Sequence, residues 1–137
     1  MRFRVVVATL LMVVVSVVVA GSSSADTSWT IQPTPGAGYL QGISCASQEF
    51  CVAVGNGDPT FIQSWNGTAW TLDNAPNPVG GANLFGVSCP SNNFCVAVGY
   101  DPEATDTVVE TWNGIEWSEV PSPNPGSDSS VLSSVSC

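Results

Sequence analysis

Carboxylates are the side chains here with the numbers to do acid–base chemistry: 11 Asp and Glu stand against two basic residues and no His. Both basic residues, Arg2 and Arg4, fall in the first four positions, and every acid lies at Asp26 or later. From position 26 onward there is thus no imidazole base, no Schiff-base lysine and no His ligand for a metal. Without Lys or Arg to neutralise phosphates, nucleic-acid binding and adhesion to anionic membranes are excluded as well. Two classes of function survive: an enzyme working with carboxylates alone, or an acidic binding or scaffold surface.

Asp58, Asp101, Glu103, Asp106 and Glu110 lie on the segments between the second and third strands of the repeated units described below, or on the third strand. Glycoside hydrolysis needs two carboxyl groups held about 5–10 Å apart. No acidic pair recurs between the repeated units, and no third carboxylate, nor any Arg after position 4, is available to orient a substrate, so these acids read as solvated loop charges and no catalytic residue is assigned. Asp101, Glu103 and Asp106 in DPEATD would suit calcium, which takes several oxygens at close quarters, but the spacing matches no EF-hand loop. No metal site and no cofactor are expected.

Thiols are the other reactive groups. Cys45 and Cys51 are separated by five residues, as are Cys89 and Cys95. That spacing is wider than in common zinc sites and lacks His, whereas it places each pair across a β-hairpin, close enough to bond. Disulfides Cys45–Cys51 and Cys89–Cys95 are expected, and Cys137 is left unpaired.

Oxidised cysteines agree with the N-terminus. Arg2 and Arg4 precede an apolar run, Val5 to Ala20, followed by small residues up to Ala25. This order marks a secretory signal peptide over 1–25, cut after Ala25 or, less favourably, Ala20. The run of 16 residues is shorter than the roughly 20 of a membrane-spanning helix. A secreted, extracellular protein follows, in a compartment that permits disulfides.

The elements that position these residues are set by an internal repeat. LQGISCASQEFCVAVG (Leu40 to Gly55) returns as LFGVSCPSNNFCVAVG (Leu84 to Gly99), with 11 of 16 positions identical. SWNGTAWT (Ser64 to Thr71) returns as TWNGIEWS (Thr111 to Ser118), each running into Pro-x-Pro, and LSSVSC (Leu132 to Cys137) begins the unit again. The divisions are a closing strand of a preceding or last blade over 26–39, repeats over 40–83 and 84–131, and the start of a third unit over 132–137. Because Cys137 takes the place of Cys45 and Cys89, its partner would lie six residues further on, and the chain reads as a truncated part of a longer repeat protein.

Each unit predicts four strands: Leu40 to Ser44 and Leu84 to Ser88; Phe50 to Val54 and Phe94 to Val98, ended by Gly55 and Gly99; Thr60 to Trp65 and Thr107 to Trp112; Trp70 to Leu72 and Trp117 to Val120. Asn66-Gly67 and Asn113-Gly114 supply the positive φ of tight hairpin turns. Across those turns Trp65 faces Trp70, and Trp112 faces Trp117. The second strand is apolar at every position, as in a strand buried on both faces. Four strands per unit, a period of 44 to 48 residues and stacked sheets describe an all-β fold, a partial β-propeller of about two and a half four-stranded antiparallel blades.

The order of a strand ending in Gly, a turn flanked by Trp and a Pro-rich exit resembles kelch and galactose-oxidase-type propeller repeats. The form VSCxSxxFCVAVG, WNGxxW and PNP is similar to repeats of secreted, multi-bladed bacterial proteins. A kelch double glycine is missing, since Asn56 follows Gly55 and Tyr100 follows Gly99. The resemblance implies a fold and no single activity. Copper oxidase chemistry does not carry over, because its His ligands are absent.

Equivalent Trp65, Trp70, Trp112 and Trp117 read first as blade-packing residues and second as platforms for sugar rings. Asn66-Gly67-Thr68 also fits a glycosylation sequon. The expected protein does no chemistry of its own and binds or scaffolds a protein or glycan partner, with possible homo-oligomers. Two alternatives are a lectin assembled by oligomerisation of two-bladed units and a fragment of a carboxylate-dependent glycoside hydrolase.

Overall fold

The computed structural model describes residues 30–78, 80–125 and 129–137. The chain divides into two compact units, 1–30 and 31–137. The expected signal peptide over 1–25 lies outside the described residues, and the architecture below is that of the second unit.

Eight strands and no helix form among the described residues: β1 (Tyr39–Ser47), β2 (Phe50–Asn56), β3 (Phe61–Trp65), β4 (Trp70–Leu72), β5 (Asn83–Ser91), β6 (Phe94–Tyr100), β7 (Thr107–Trp112) and β8 (Trp117–Glu119). Within β1–β4 and within β5–β8 each strand pairs antiparallel with the next. A single residue pair, Asn56 with Asn83, links β2 to β5. The protein is an all-β, partial β-propeller whose two blades are the two copies of the repeat.

Registers follow from the turns. Trp65 stands opposite Trp70 and Trp112 opposite Trp117. At each bend an Asn side chain takes the orphan donors of the turn: Asn66 Oδ1 accepts from the N–H groups of Thr68 and Ala69, and Asn113 Oδ1 from those of Ile115 and Glu116, all at 2.9–3.0 Å. The glycine that follows each Asn carries φ of +91° at Gly67 and +93° at Gly114, which only glycine adopts freely.

Two expectations are corrected. Gly55 and Gly99 do not end their strands, since β2 continues to Asn56 and β6 to Tyr100. They sit opposite Leu40 and Leu84, beside irregularities in the β1 and β5 registers, and a side chain at either would collide with the carbonyl of Tyr39 or Asn83. Glycine there marks a close approach of two backbones. The described part of 26–39 before Tyr39 forms no strand: Pro33 and Pro35 have no N–H for a ladder, and the segment instead lies along blade one, where the Pro35 carbonyl accepts from Gln63 Nε2 and Gly36 and Gly38 pack on the Phe61 ring.

Successive side chains of β2 point to opposite faces, so Val52 and Val54 join Ile62 of β3 on one side of blade one. They pack against Leu84, Cys95, Ala97, Val108 and Trp117 of blade two, and this seam is the hydrophobic core. Leu84 is fully buried there, while Leu40, its counterpart on the opposite face of blade one, is 45% exposed.

Polar bonds lock the same seam. Cys89 N–H donates to Ser44 Oγ at 3.0 Å, and Trp117 Nε1–H donates to Asp73 Oδ2 at 3.0 Å. The segment 132–137 repeats the first of these, since Cys137 N–H donates to Ser88 Oγ at 3.1 Å and Leu132 N–H to the Gly99 carbonyl at 3.3 Å. Residues 132–137 thus lie on β5 as β5 lies on β1. They form no strand, because β1 and β5 take that geometry by pairing with β2 and β6 and no such partner lies beside 132–137 among the described residues.

Candidate functional site

The acids singled out in the sequence are spread apart by the fold. Glu110 lies mid-way along β7 and is fully buried, and neither of its carboxyl oxygens has a hydrogen-bond partner. Burial pushes its pKa up to about 8, with the nearby charge of Glu119, its neighbour across the β7–β8 ladder, adding to the rise. A carboxyl group sealed in this way reaches no substrate. Its counterpart in blade one is Gln63, also fully buried, whose amide finds the Pro35 carbonyl.

Asp101 is occupied by its own loop. Its Oδ1 accepts from the N–H groups of Glu103 at 2.7 Å and Ala104 at 3.1 Å, and its backbone closes onto Thr105 and Asp106. Asp101, Asp106 and Glu119 line one open cavity of about 460 Å³ with Thr107 and Asn124, but Glu110 is absent from it. Glu103 lies beside Gly80, and Asp58 lines a separate cleft next to Phe61. Among the described residues no three His, Cys, Asp or Glu side chains come together to hold a metal ion.

Cys45 is bonded to Cys51 and Cys89 to Cys95, each pair across the first hairpin of its blade. Cys137 is exposed with a free thiol.

The tryptophans repeat in position and in contact. Each pair is tilted, with ring centroids 5.7 Å apart in both blades. Trp65 Nε1–H donates to the Gln48 carbonyl and Trp112 Nε1–H to that of Asn92, tying the third strand of each blade to its first hairpin turn. Beside each pair opens a notch formed with the exit segment of the unit before. One, of about 310 Å³, is lined by Leu72, Asp73, Asn74 and Ile115 with Glu116, Trp112 and Trp117. The other, of about 220 Å³, is lined by Gln32, Cys51, Trp65 and Trp70.

Asp73 and Glu116 were not marked by sequence reasoning. Counting from the Trp that opens each fourth strand, Asp73 aligns with Gln32 and Val120, and Glu116 with Ala69. Residues that differ between copies in this way carry no repeat signal. Asp73 is nonetheless the polar centre of the seam, for its Oδ1 accepts from Ser64 Oγ at 2.7 Å while Oδ2 accepts from Trp117.

No family model matches this chain, and no curated protein matches it. Among solved structures, "YCF48 bound to D1 peptide" is similar with a TM-score of 0.54 and 16% identity, covering 72% of this chain and 31% of that one. The chain therefore spans about a third of that neighbour's length. YCF48 is a β-propeller, and the likeness at this identity is one of fold, in agreement with the two blades described above.

Proposed function

We propose that this protein is a secreted, non-catalytic β-propeller module, built of kelch-like repeats, that binds a protein partner through its outer rim. The observation that carries this reading is the fate of the polar groups. Glu110 is sealed, Asp101 holds its own loop and Asp73 holds the seam, whereas the two notches beside the tryptophan pairs are walled by tryptophan and, in one of them, by the exposed Ile115. Concave sites with aromatic walls and a few polar groups suit binding. Two disulfides fit an extracellular setting. The similar propeller, YCF48, is bound to a peptide in its solved structure, which supports a peptide or protein ligand here.

The test presents purified protein to peptide and glycan arrays and, in parallel, to a panel of chromogenic glycosides. Saturable peptide binding without turnover is the expected result. Glycan binding alone would replace this reading with the lectin. Turnover abolished by Asp101→Asn or Glu110→Gln would overturn it in favour of a hydrolase, and silence on both arrays would also overturn it.

A further inference from the structure

We propose that the notch between the two blades is a binding site for one cationic side chain, Arg or Lys, presented by a protein partner. The inference rests on the reading of the chain as a binding module and names what one of its surfaces takes.

Asp73, half-buried, lines the notch. Its two oxygens accept from Ser64 Oγ and from the Trp117 indole, both neutral donors, so the carboxylate is held in place while its charge is left uncompensated. No Lys, Arg or His occurs after Arg4 to answer it. Glu116 brings a second carboxylate from the β7–β8 turn, on the exposed lip. Trp112, half-buried, lines the same notch, with its N–H already given to the Asn92 carbonyl. A ring anchored by its N–H and lining a cavity suits a cation lying against its face. Leu72, 45% exposed, and Ile115, 84% exposed, extend the wall outward and would cover the methylene stem of a long basic side chain.

The second notch supplies the internal comparison. It has the same tilted tryptophan pair, yet Gln32 and Ala69 replace Asp73 and Glu116. The tryptophan pair keeps the same tilt and spacing without either acid, so its geometry does not depend on them, although Asp73 also bonds across the seam to Trp117. Two acids in one tryptophan-walled notch, in a chain with no Lys, Arg or His after Arg4, give charge complementarity toward a basic partner.

The experiment titrates the full chain with Nα-acetyl-arginine amide and with its neutral isostere Nα-acetyl-citrulline amide, following the tryptophan indole N–H resonances by NMR. Arginine should move Trp112 and Trp117 saturably in the millimolar range and leave Trp65 and Trp70 in place, while citrulline moves none. Glu116→Ala, a change on an exposed turn that copies Ala69, should weaken arginine binding about three- to ten-fold, the size of one partly screened charge contact. Raising salt from about 0.1 M to about 1 M should weaken it further as the screening length shortens. Equal responses to arginine and citrulline, equal shifts at both notches, or unchanged affinity in Glu116→Ala would each overturn the site. Array binding that survives while arginine is silent overturns this site and leaves the module reading intact; loss of both overturns both.

Discussion

Ser88 Oγ accepts a hydrogen bond from the Cys137 backbone at 3.1 Å, as Ser44 Oγ accepts one from the Cys89 backbone at 3.0 Å. The same serine of each unit thus grips the same cysteine of the next, and the two copies differ in their surroundings: the bond at Ser44 is partly buried and the one at Ser88 exposed. Removing the hydroxyl leaves a backbone N–H without its partner, which costs more where water cannot replace it. Ser44→Ala should destabilise by about 1–2 kcal/mol and Ser88→Ala by about 0.5 kcal/mol or less, read from urea midpoints.

Glu110 should make stability fall with pH. Its folded pKa of about 8 lies above the ordinary carboxyl value of 4.5, so the folded state favours the protonated form. Below about 4.5 both states hold the proton and no penalty arises; between about 4.5 and 8 the unfolded chain gives it up first and stability declines; above about 8 the loss is complete. Glu110→Gln copies Gln63 and removes that slope, gaining on the order of a few kcal/mol near neutral pH. Denaturation of both proteins across this range checks it, and parallel curves would refute the assignment.

Each disulfide closes a short loop, with a sequence separation of 6. On the chain-entropy estimate each should contribute about 2 kcal/mol. Cys51 is buried but Cys45 is exposed and neither joins the core cluster, whereas Cys89 and Cys95 are both buried in the seam. The double change of Cys89 and Cys95 to Ser should therefore cost more than that of Cys45 and Cys51, because it also places hydroxyls in an apolar core. Thermal melts of the two variants rank them.

Gly99→Ala is expected to be the most damaging single methyl in blade two. The added carbon meets backbone at the Asn83 carbonyl, which cannot rotate away as a side chain would. The loss should exceed about 3 kcal/mol or prevent folding, whereas alanine at Ser129, outside any strand and exposed, should change little. Recovery of soluble protein and melting temperature separate the two.

What recurs in the sequence was readable, and what differs between copies was not. The Asn-Gly turns fixed the Trp65–Trp70 and Trp112–Trp117 registers, and the apolar run Cys51 to Val54 announced a strand covered on both faces, because both signals are local. The Gly55 and Gly99 positions look like strand ends in one dimension, since the Tyr39 and Asn83 carbonyls that demand glycine arrive from another strand. Likewise the partnership of Asp73 with Trp117 joins residues 44 positions apart and occurs once, so no periodicity points to it. Glu110 reads as a solvated charge by residue type, and only the packing around it in the folded blade seals it.

The hold of one unit's serine on the next unit's cysteine has a bearing on how such a chain can grow. An interface written as a relation between successive copies is indifferent to how many copies there are. Duplicating one 44- to 48-residue unit in frame would add a blade and an identical seam together, with no new surface to invent. Blade number is then open to change by duplication alone, while positions that differ between copies, such as Asp73 and Glu116, can vary without disturbing the serine–cysteine link.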